Sequence, residues 1–232
     1  MSYTAIIVEP RQHRALHFVL FNFLSNLSDE WNIVVCHGTE NIRYLNDIVS
    51  TLHMYKHRIT LVNLHVSNLT LDEYNRLLTS KAFYDYIPTE MFLIFQTDTM
   101  IFSRFKHQIN NFLSYDYVGA PWEFPLGVDR KIVGNNTGRI GNGGLSLRRK
   151  SKMLQIIETI PYKGDPEDLY FTSTNDILHM PTVEEAKTFS IEMMFHPATF
   201  GCHKPWGRGY NIELMRHYPE ITPLLVLNDQ YM

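Results

Sequence analysis

The sequence predicts an α/β fold, with a Rossmann-like sheet, helices on both of its faces, and all 232 residues in a single domain. Three observations lead there. Short apolar runs alternate with amphipathic stretches through the N-terminal hundred residues, the signature of strand–helix units that build a parallel sheet. Met91-Phe92-Leu93-Ile94-Phe95 is uninterrupted apolar, as expected of a central strand covered on both faces. The composition is 44% apolar, 13% aromatic and 19% charged, a globular profile. A chain of this length buries roughly 70–75% of the surface its unfolded form exposes, enough to fold without a disulfide or a structural metal.

Taken in order, residues 4–8 read as a buried strand. Leu16, Val19, Leu20, Phe23, Leu24 and Leu27 then recur at helical spacing and define one apolar helix face. Trp31 to Cys36 and Ile59 to Leu64 are the second and third strands, and Thr70-Leu71-Asp72-Glu73 opens a capped helix. His53 and His57 read as solvated helix residues. A helix is expected to begin near Ser103. From Tyr115 to Gly144 the chain turns rich in Gly, Pro, Asn and aromatics, and 123–140 is expected to be a long loop of the kind that serves binding. Helical patterns return at 151–160, at 165–180 and after Thr182, where Thr182-Val183-Glu184-Glu185 is a capping box. Phe200 to Tyr210 reads as a second loop.

Charge and cysteine content narrow the function. Lys plus Arg is 21 and Asp plus Glu 24, so the formal charge is 21 − 24 = −3. No basic surplus is available for a nucleic-acid backbone, and no nucleic-acid partner is expected. Cys36 and Cys202 are far apart, which excludes a disulfide framework and favours a reducing compartment. The N-terminal run Ala5-Ile6-Ile7-Val8 is too short for a signal peptide, and no apolar stretch approaches the ~20 residues of a membrane helix. The expected location is cytoplasmic, the host cytoplasm if the source is viral. Dinucleotide, phosphate-loop, zinc and hydrolase-elbow motifs are absent.

Four motifs carry chemistry. Gln96-Thr97-Asp98-Thr99 follows the strongest strand, where ligands bind in open α/β sheets, and the Asp98 carboxylate suits Mg²⁺ or Mn²⁺. The alternative is that Asp98 caps the helix near Ser103. Asn142-Gly143-Gly144-Leu145-Ser146-Leu147-Arg148-Arg149 pairs two glycines that let backbone approach a ligand, or is a plain turn into a strand; Arg148 and Arg149 read as surface or capping charges. In Asp165-Pro166-Glu167-Asp168, Asp165 fits an N-cap and Pro166 the first helical position. The carboxylates then favour the helix dipole, which would hold an Asp168 base at low pKa. Gly201-Cys202-His203-Lys204-Pro205-Trp206-Gly207-Arg208-Gly209 gathers a possible metal ligand in His203, cations for phosphate in Lys204 and Arg208, and a sugar-stacking face in Trp206. Glu9-Pro10-Arg11 and His37-Gly38, at two strand ends, either touch a nucleotide or turn the chain.

Read together, Ile-Ile-Val-Glu-Pro-Arg, Gln-Thr-Asp-Thr, Tyr115-Asp116-Tyr117-Val118-Gly119-Ala120-Pro121-Trp122, Gly-Asn-Gly-Gly-Leu-Ser-Leu-Arg, Pro-Glu-Asp-Leu-Tyr-Phe and His-Lys-Pro-Trp resemble the small GT-A-fold glycosyltransferase-like proteins of bacteria and large DNA viruses. That group is related to the rhamnosyltransferase domain of an algal-virus glycosyltransferase. The resemblance implies a GT-A-type mixed sheet, with 1–100 as nucleotide-binding half and 101–232 as acceptor and catalytic half. It implies a metal on Asp98 and His203, although only one carboxylate of the family's Asp-x-Asp survives in Gln96-Thr97-Asp98. Asp168 would be the catalytic base. Glu9, Arg11, His37, Gly38, Gln96, Thr97, Asp98, Gly143, Gly144, Lys204 and Arg208 would meet the donor, and Trp122, Glu167 and Trp206 the acceptor.

The expected activity is a nucleotide-sugar-dependent transferase of hexosyl type, inverting, with UDP as the nucleotide and a glycan or small molecule as acceptor. The alternatives are a catalytically inactive nucleotide-sugar or carbohydrate-binding module and a sugar nucleotidyltransferase. The latter would need a basic, Gly-rich loop after the first strand, which Glu9-Pro10-Arg11-Gln12 is not.

Overall fold

The computed structural model of the chain describes residues 2–123, 140–173, 177–206 and 211–230. Nine strands are present among them: β1 (Tyr3–Val8), β2 (Trp31–His37), β3 (Ile59–Asn63), β4 (Met91–Ile94), β5 (Thr99–Ile101), β6 (Tyr117–Gly119), β7 (Ser146–Arg149), β8 (Ser190–Ile191) and β9 (Gly201–His203). The helices are α1 (Leu16–Asn26), α2 (Ile42–Thr51), α3 (Leu71–Leu78), α4 (Lys150–Thr159), α5 (Glu167–Thr172), α6 (Val183–Phe189), α7 (Asn211–His217) and α8 (Thr222–Leu227).

The main sheet runs β3-β2-β1-β4-β7-β6. Its first four strands are parallel, while β7 pairs antiparallel with β4 and with β6. It is the mixed sheet that the resemblance implies. Period-2 alternation splits its side chains between two cores. Ala5, Ile7, Ile33, Val35, Leu93 and Phe95 point to one, with α1, α2 and α8. Ile6, Val34, Cys36, Phe92 and Ile94 point to the other, with α4, α5 and α6. Helices therefore cover both faces. The α1 face read from spacing is the buried one, and both capping boxes form, Thr70 with Glu73 and Thr182 with Glu185.

Several expectations are corrected. The helix near Ser103 is a 3₁₀ segment over Ser103–Phe112, separated from Asp98 by β5 and not capped by it. The helix expected at 165–180 is only Glu167–Thr172, with Pro166 rather than Asp165 at its N-cap and no side-chain cap bond. Phe200–Tyr210 is not simply a loop, because β9 joins a second, three-stranded sheet of order β5-β9-β8. Strands of two or three residues carry no readable periodicity, which is why this sheet left no trace in the pattern. Most of the loop expected at 123–140 lies outside the described residues; an antiparallel bridge from Pro121 to Ile140 closes its base.

Arg148 is the largest correction. It is fully buried in β7 rather than a surface charge. Arg149 is partly buried and pairs with Asp116 at 2.7 Å.

Among the described residues, no helix is long and apolar enough to cross a membrane.

Candidate active site

β1 and β4 are neighbours, but β2 and β3 extend the sheet to one side of β1 and β7 and β6 to the other side of β4. The chain thus reverses its winding between β1 and β4, and the crevice beyond their carboxyl ends is where such sheets bind ligands. A cavity of about 290 Å³ lies there. Its walls are Val8 to Arg11 after β1, Asn68 to Leu71 and Tyr74 at the start of α3, and Gln96 to Asp98 after β4.

The cavity rim is braced. Glu9 is buried and accepts from Arg11 through its backbone N–H at 3.0 Å, its Nε at 2.8 Å and its Nη2 at 2.8 Å, which fixes an exposed guanidinium at the mouth. Gln96 Nε2 donates to the Tyr74 hydroxyl at 3.0 Å. The Thr97 carbonyl accepts from Asn228 Nδ2 at 3.1 Å, tying α8's end to the Asp98 segment. His37 and Gly38 stand behind the wall instead of lining it. Gly38 N–H donates to Asn41 Oδ1, and Asn41 Nδ2 donates to the carbonyls of Glu9 and Arg11. A Cβ at Gly38 would stand 2.7 Å from the Val66 oxygen and 2.8 Å from the Pro10 oxygen, so its glycine serves packing.

The register of the small sheet sets the next group. Thr99 of β5 faces His203 of β9, and Lys204 N–H donates to the Asp98 carbonyl at 2.9 Å. His203 Nε2 consequently sits 3.4 Å from Asp98 Oδ1, and its Nδ1 3.6 Å from Glu192 Oε1. Burial by itself would lower the His203 pKa, but the Asp98 carboxylate and the Glu192 contact outweigh it and raise it. Asp98 Oδ1 is buried without a hydrogen-bond partner, an expensive condition that a cation at this spot would relieve. Among the described residues no group of three or more His, Cys, Asp or Glu is arranged to hold a metal. One carboxylate and one imidazole are therefore what the described residues offer, which suits an ion completed by substrate phosphate oxygens. Lys204, exposed and with φ of 45°, points its backbone around this corner.

The Gly143-Gly144 turn joins this group to the third. A Cβ on Gly144 would overlap the His203 ring, and one on Gly143 would overlap Glu167 Oε1. Only glycines permit both approaches. Gly143 N–H donates to Asp168 Oδ2 at 3.2 Å, and Leu169 N–H to Asp168 Oδ1 at 2.7 Å. Asp168 does not have the low pKa expected from the helix dipole. Burial first, then the neighbouring Glu167 charge, push it up to about 6, against the Leu169 and Gly143 amides and Arg148.

Glu167 is not free for an acceptor. Arg148 donates to it through Nη1 at 2.6 Å and Nη2 at 3.0 Å, both side chains being buried. Trp122 is buried at 2% exposure and presents no open stacking face, whereas Trp206 is half-buried against the apolar core. Arg208 lies outside the described residues. His203 and Asp168 do not line the cavity itself; they continue from Asp98 along an arc through the glycine turn.

Sequence reasoning missed Arg148, Tyr74, Glu192 and Asn228. For Arg148 a signal existed: a strand flanked by buried strands has no solvent side, and a cation there has to find an internal carboxylate.

A family model described as Protein of unknown function (DUF5672) matches residues 58–203. No curated protein matches the chain. Among solved structures, the glycosyltransferase GlyE of Streptococcus pneumoniae TIGR4 superposes with a TM-score of 0.55 at 12% identity, over 99% of this chain and 63% of that one. The mannosyltransferase PcManGT of Pyrobaculum calidifontis, in complex with GDP-Man and Mn²⁺, gives 0.54 at 12% identity, over 97% and 68%. S. aureus TarS 1-349 gives 0.53 at 10% identity, over 98% and 65%, so this chain spans less than two thirds of TarS. These likenesses show a GT-A-like fold.

Proposed function

This chain belongs to the DUF5672 family of proteins of unknown function, so its chemistry is read from its own side chains, and we propose that it is an inverting, metal-assisted glycosyltransferase moving a sugar from a nucleoside-diphosphate sugar to an acceptor hydroxyl. One observation supports this above others: the continuous arc from the cavity through Asp98 and His203, past Gly144 and Gly143, to Asp168. The labour divides along the chain. Among the described residues the cavity draws on 8–98 and takes the nucleoside; Gly143, Gly144, Asp168 and His203, all from the second half, face the sugar and acceptor.

Asp98 and His203 would hold the divalent ion. A mixed oxygen and nitrogen set favours the softer Mn²⁺ over Mg²⁺. When bound, that ion neutralises charge on the departing diphosphate. Arg11 and Lys204 stand exposed near the same corner and add positive charge to it. Asp168 takes the proton from the acceptor hydroxyl. The freed oxygen pair forms a bond to the anomeric carbon from the face opposite the diphosphate. The bond to the diphosphate breaks with its electrons on the leaving oxygen, which inverts the centre. The close glycine turn lets the His203 ring and the Glu167 carboxylate pack against backbone that any Cβ would exclude, which holds the metal-side and base-side groups together.

Two results are expected. In a thermal-shift screen with UDP, GDP, dTDP and CMP, one nucleoside diphosphate raises the melting temperature, and raises it further with Mn²⁺. A ligand at a hundred times its Kd stabilises by about 2.7 kcal/mol. Asp98→Ala abolishes the Mn²⁺-dependent increment, and an increment kept in full would remove Asp98 from the metal site. In the pH profile, kcat/KM falls about tenfold per pH unit below about 6, because protonation of Asp168 removes the base, and is flat above it. A profile with no acid limb between pH 5 and 7 would exclude Asp168 from that role.

A further inference from the structure

The Arg148–Glu167 pair calls for an explanation beyond stability. Taking two charges out of water costs more than their attraction returns in many proteins, and apolar replacements of equal volume are often neutral or better. This pair nevertheless occupies the centre of the second core. Arg148 is fully buried, with its guanidinium 4.8 Å above the Tyr117 ring and 5.6 Å from Phe171. Beyond its two bonds to Glu167, its Nε donates to Ser146 Oγ at 2.9 Å, and Ser146 Oγ donates to the Gly143 carbonyl at 2.9 Å. Glu167 N–H donates to Asn75 Oδ1 at 3.2 Å, which anchors the first turn of α5 on α3. Both polar ends of Gly143 are thus committed: its carbonyl to the Arg148 network, its amide to Asp168.

We propose that Arg148 and Glu167 are positioning residues of the transfer reaction, a buried ion pair that fixes the Gly143 turn and the first turn of α5 so that Asp168 is aimed and acts on the acceptor proton. This rests on the transferase reading above, with Asp168 as its base. Among the described residues, the groups that face Asp168 are these. Glu167 precedes it on α5, Arg148 comes from β7, Tyr117 from β6, and the amides of Gly143 and Leu169 complete the set. Glu167 and Arg148 act on the Asp168 proton with opposite sign, the carboxylate holding it and the guanidinium expelling it. Removal of either one alone leaves the other unopposed.

The test is a ¹³C titration of the Asp168 carboxyl, read by NMR on the full chain without donor, in wild type, Glu167→Gln and Arg148→Gln. Glu167→Gln keeps an acceptor for the guanidinium and removes only the charge. Its expected effect is an Asp168 titration about 1 pH unit lower, with a matching shift of the acid limb and a reduced kcat at unchanged donor KM. Arg148→Gln is expected to move the titration upward. Opposite shifts in two variants of one network are not produced by loosened packing. An unchanged Asp168 titration in Glu167→Gln, or shifts of the same sign in both variants, overturns the proposal. Where Arg148→Gln fails to fold, the direction in Glu167→Gln decides alone. Absence of diphosphate release from the wild-type chain would overturn the transferase reading, which the titration does not depend on.

Discussion

Asp168→Asn is expected to lower turnover by about 10²–10⁴-fold, the contribution of a positioned general base. The substitution is nearly isosteric. An asparagine oxygen still accepts the Gly143 N–H, at the loss of the Leu169 N–H bond, so the turn keeps its anchor, while the amide accepts no proton from an acceptor hydroxyl. Donor affinity, read by calorimetry with the nucleoside diphosphate and Mn²⁺, should stay within about twofold, because nothing assigned to the donor is removed. The environment of Asp168 makes the prediction large. A carboxyl raised from its ordinary range to about 6 is a stronger base than an exposed aspartate, yet it remains mostly ionised at neutral pH. Wild-type turnover in Asp168→Asn would show that the proton leaves by another route.

Arg148→Met is expected to cost about 3–5 kcal/mol of folding stability, because it strands a buried Glu167 carboxylate without its partner. For a domain whose total stability lies at about 5–15 kcal/mol, that is roughly a fifth or more. The companion Arg148→Met with Glu167→Leu is expected to recover most of the loss, because the stranded charge is then gone. Urea unfolding of the three proteins measures both steps. A single-variant loss under about 1 kcal/mol would mean that water reaches the pair and that its burial is less complete than the 0% and 6% side-chain exposures indicate.

The pair also shows where sequence reading stops. Strands β1, β2 and β4, the apolar face of α1, the capped start at Thr70 and the capping box at Thr182 are legible, because period-2 and period-3.6 patterning and Ser/Thr-x-x-Glu spacing are local properties of the chain. Asp98 at the end of β4 was legible for the same reason: a polar tetrad ends an apolar run. What was not legible depends on non-local register. Thr99 faces His203 across 104 positions only because β5 and β9 pair, and neither strand is long enough to announce itself. Arg148 reads as one of two adjacent cations until Glu167, 19 residues on, is seen folded against it. The Asp168 pKa runs opposite to the helix-dipole expectation, because burial of the carboxyl beside Glu167 is set by how α5 packs and is not a local property of the chain. His37-Gly38 is open on local grounds between a ligand-facing strand end and a chain turn, and the close approach of the Val66 and Pro10 oxygens that requires its glycine is non-local.

The most direct test of the central claim is a turnover assay. Wild-type chain, Mn²⁺ and a panel of sugar nucleotides are incubated with glycan and small-alcohol acceptors, and the released phosphorus species and the anomeric configuration of the product are read by NMR. A nucleoside diphosphate leaving together with an inverted glycoside is the result expected. Pyrophosphate release, a retained anomer, or saturable nucleotide binding with no diphosphate set free would contradict the arc from Asp98 to Asp168 as the seat of an inverting transfer.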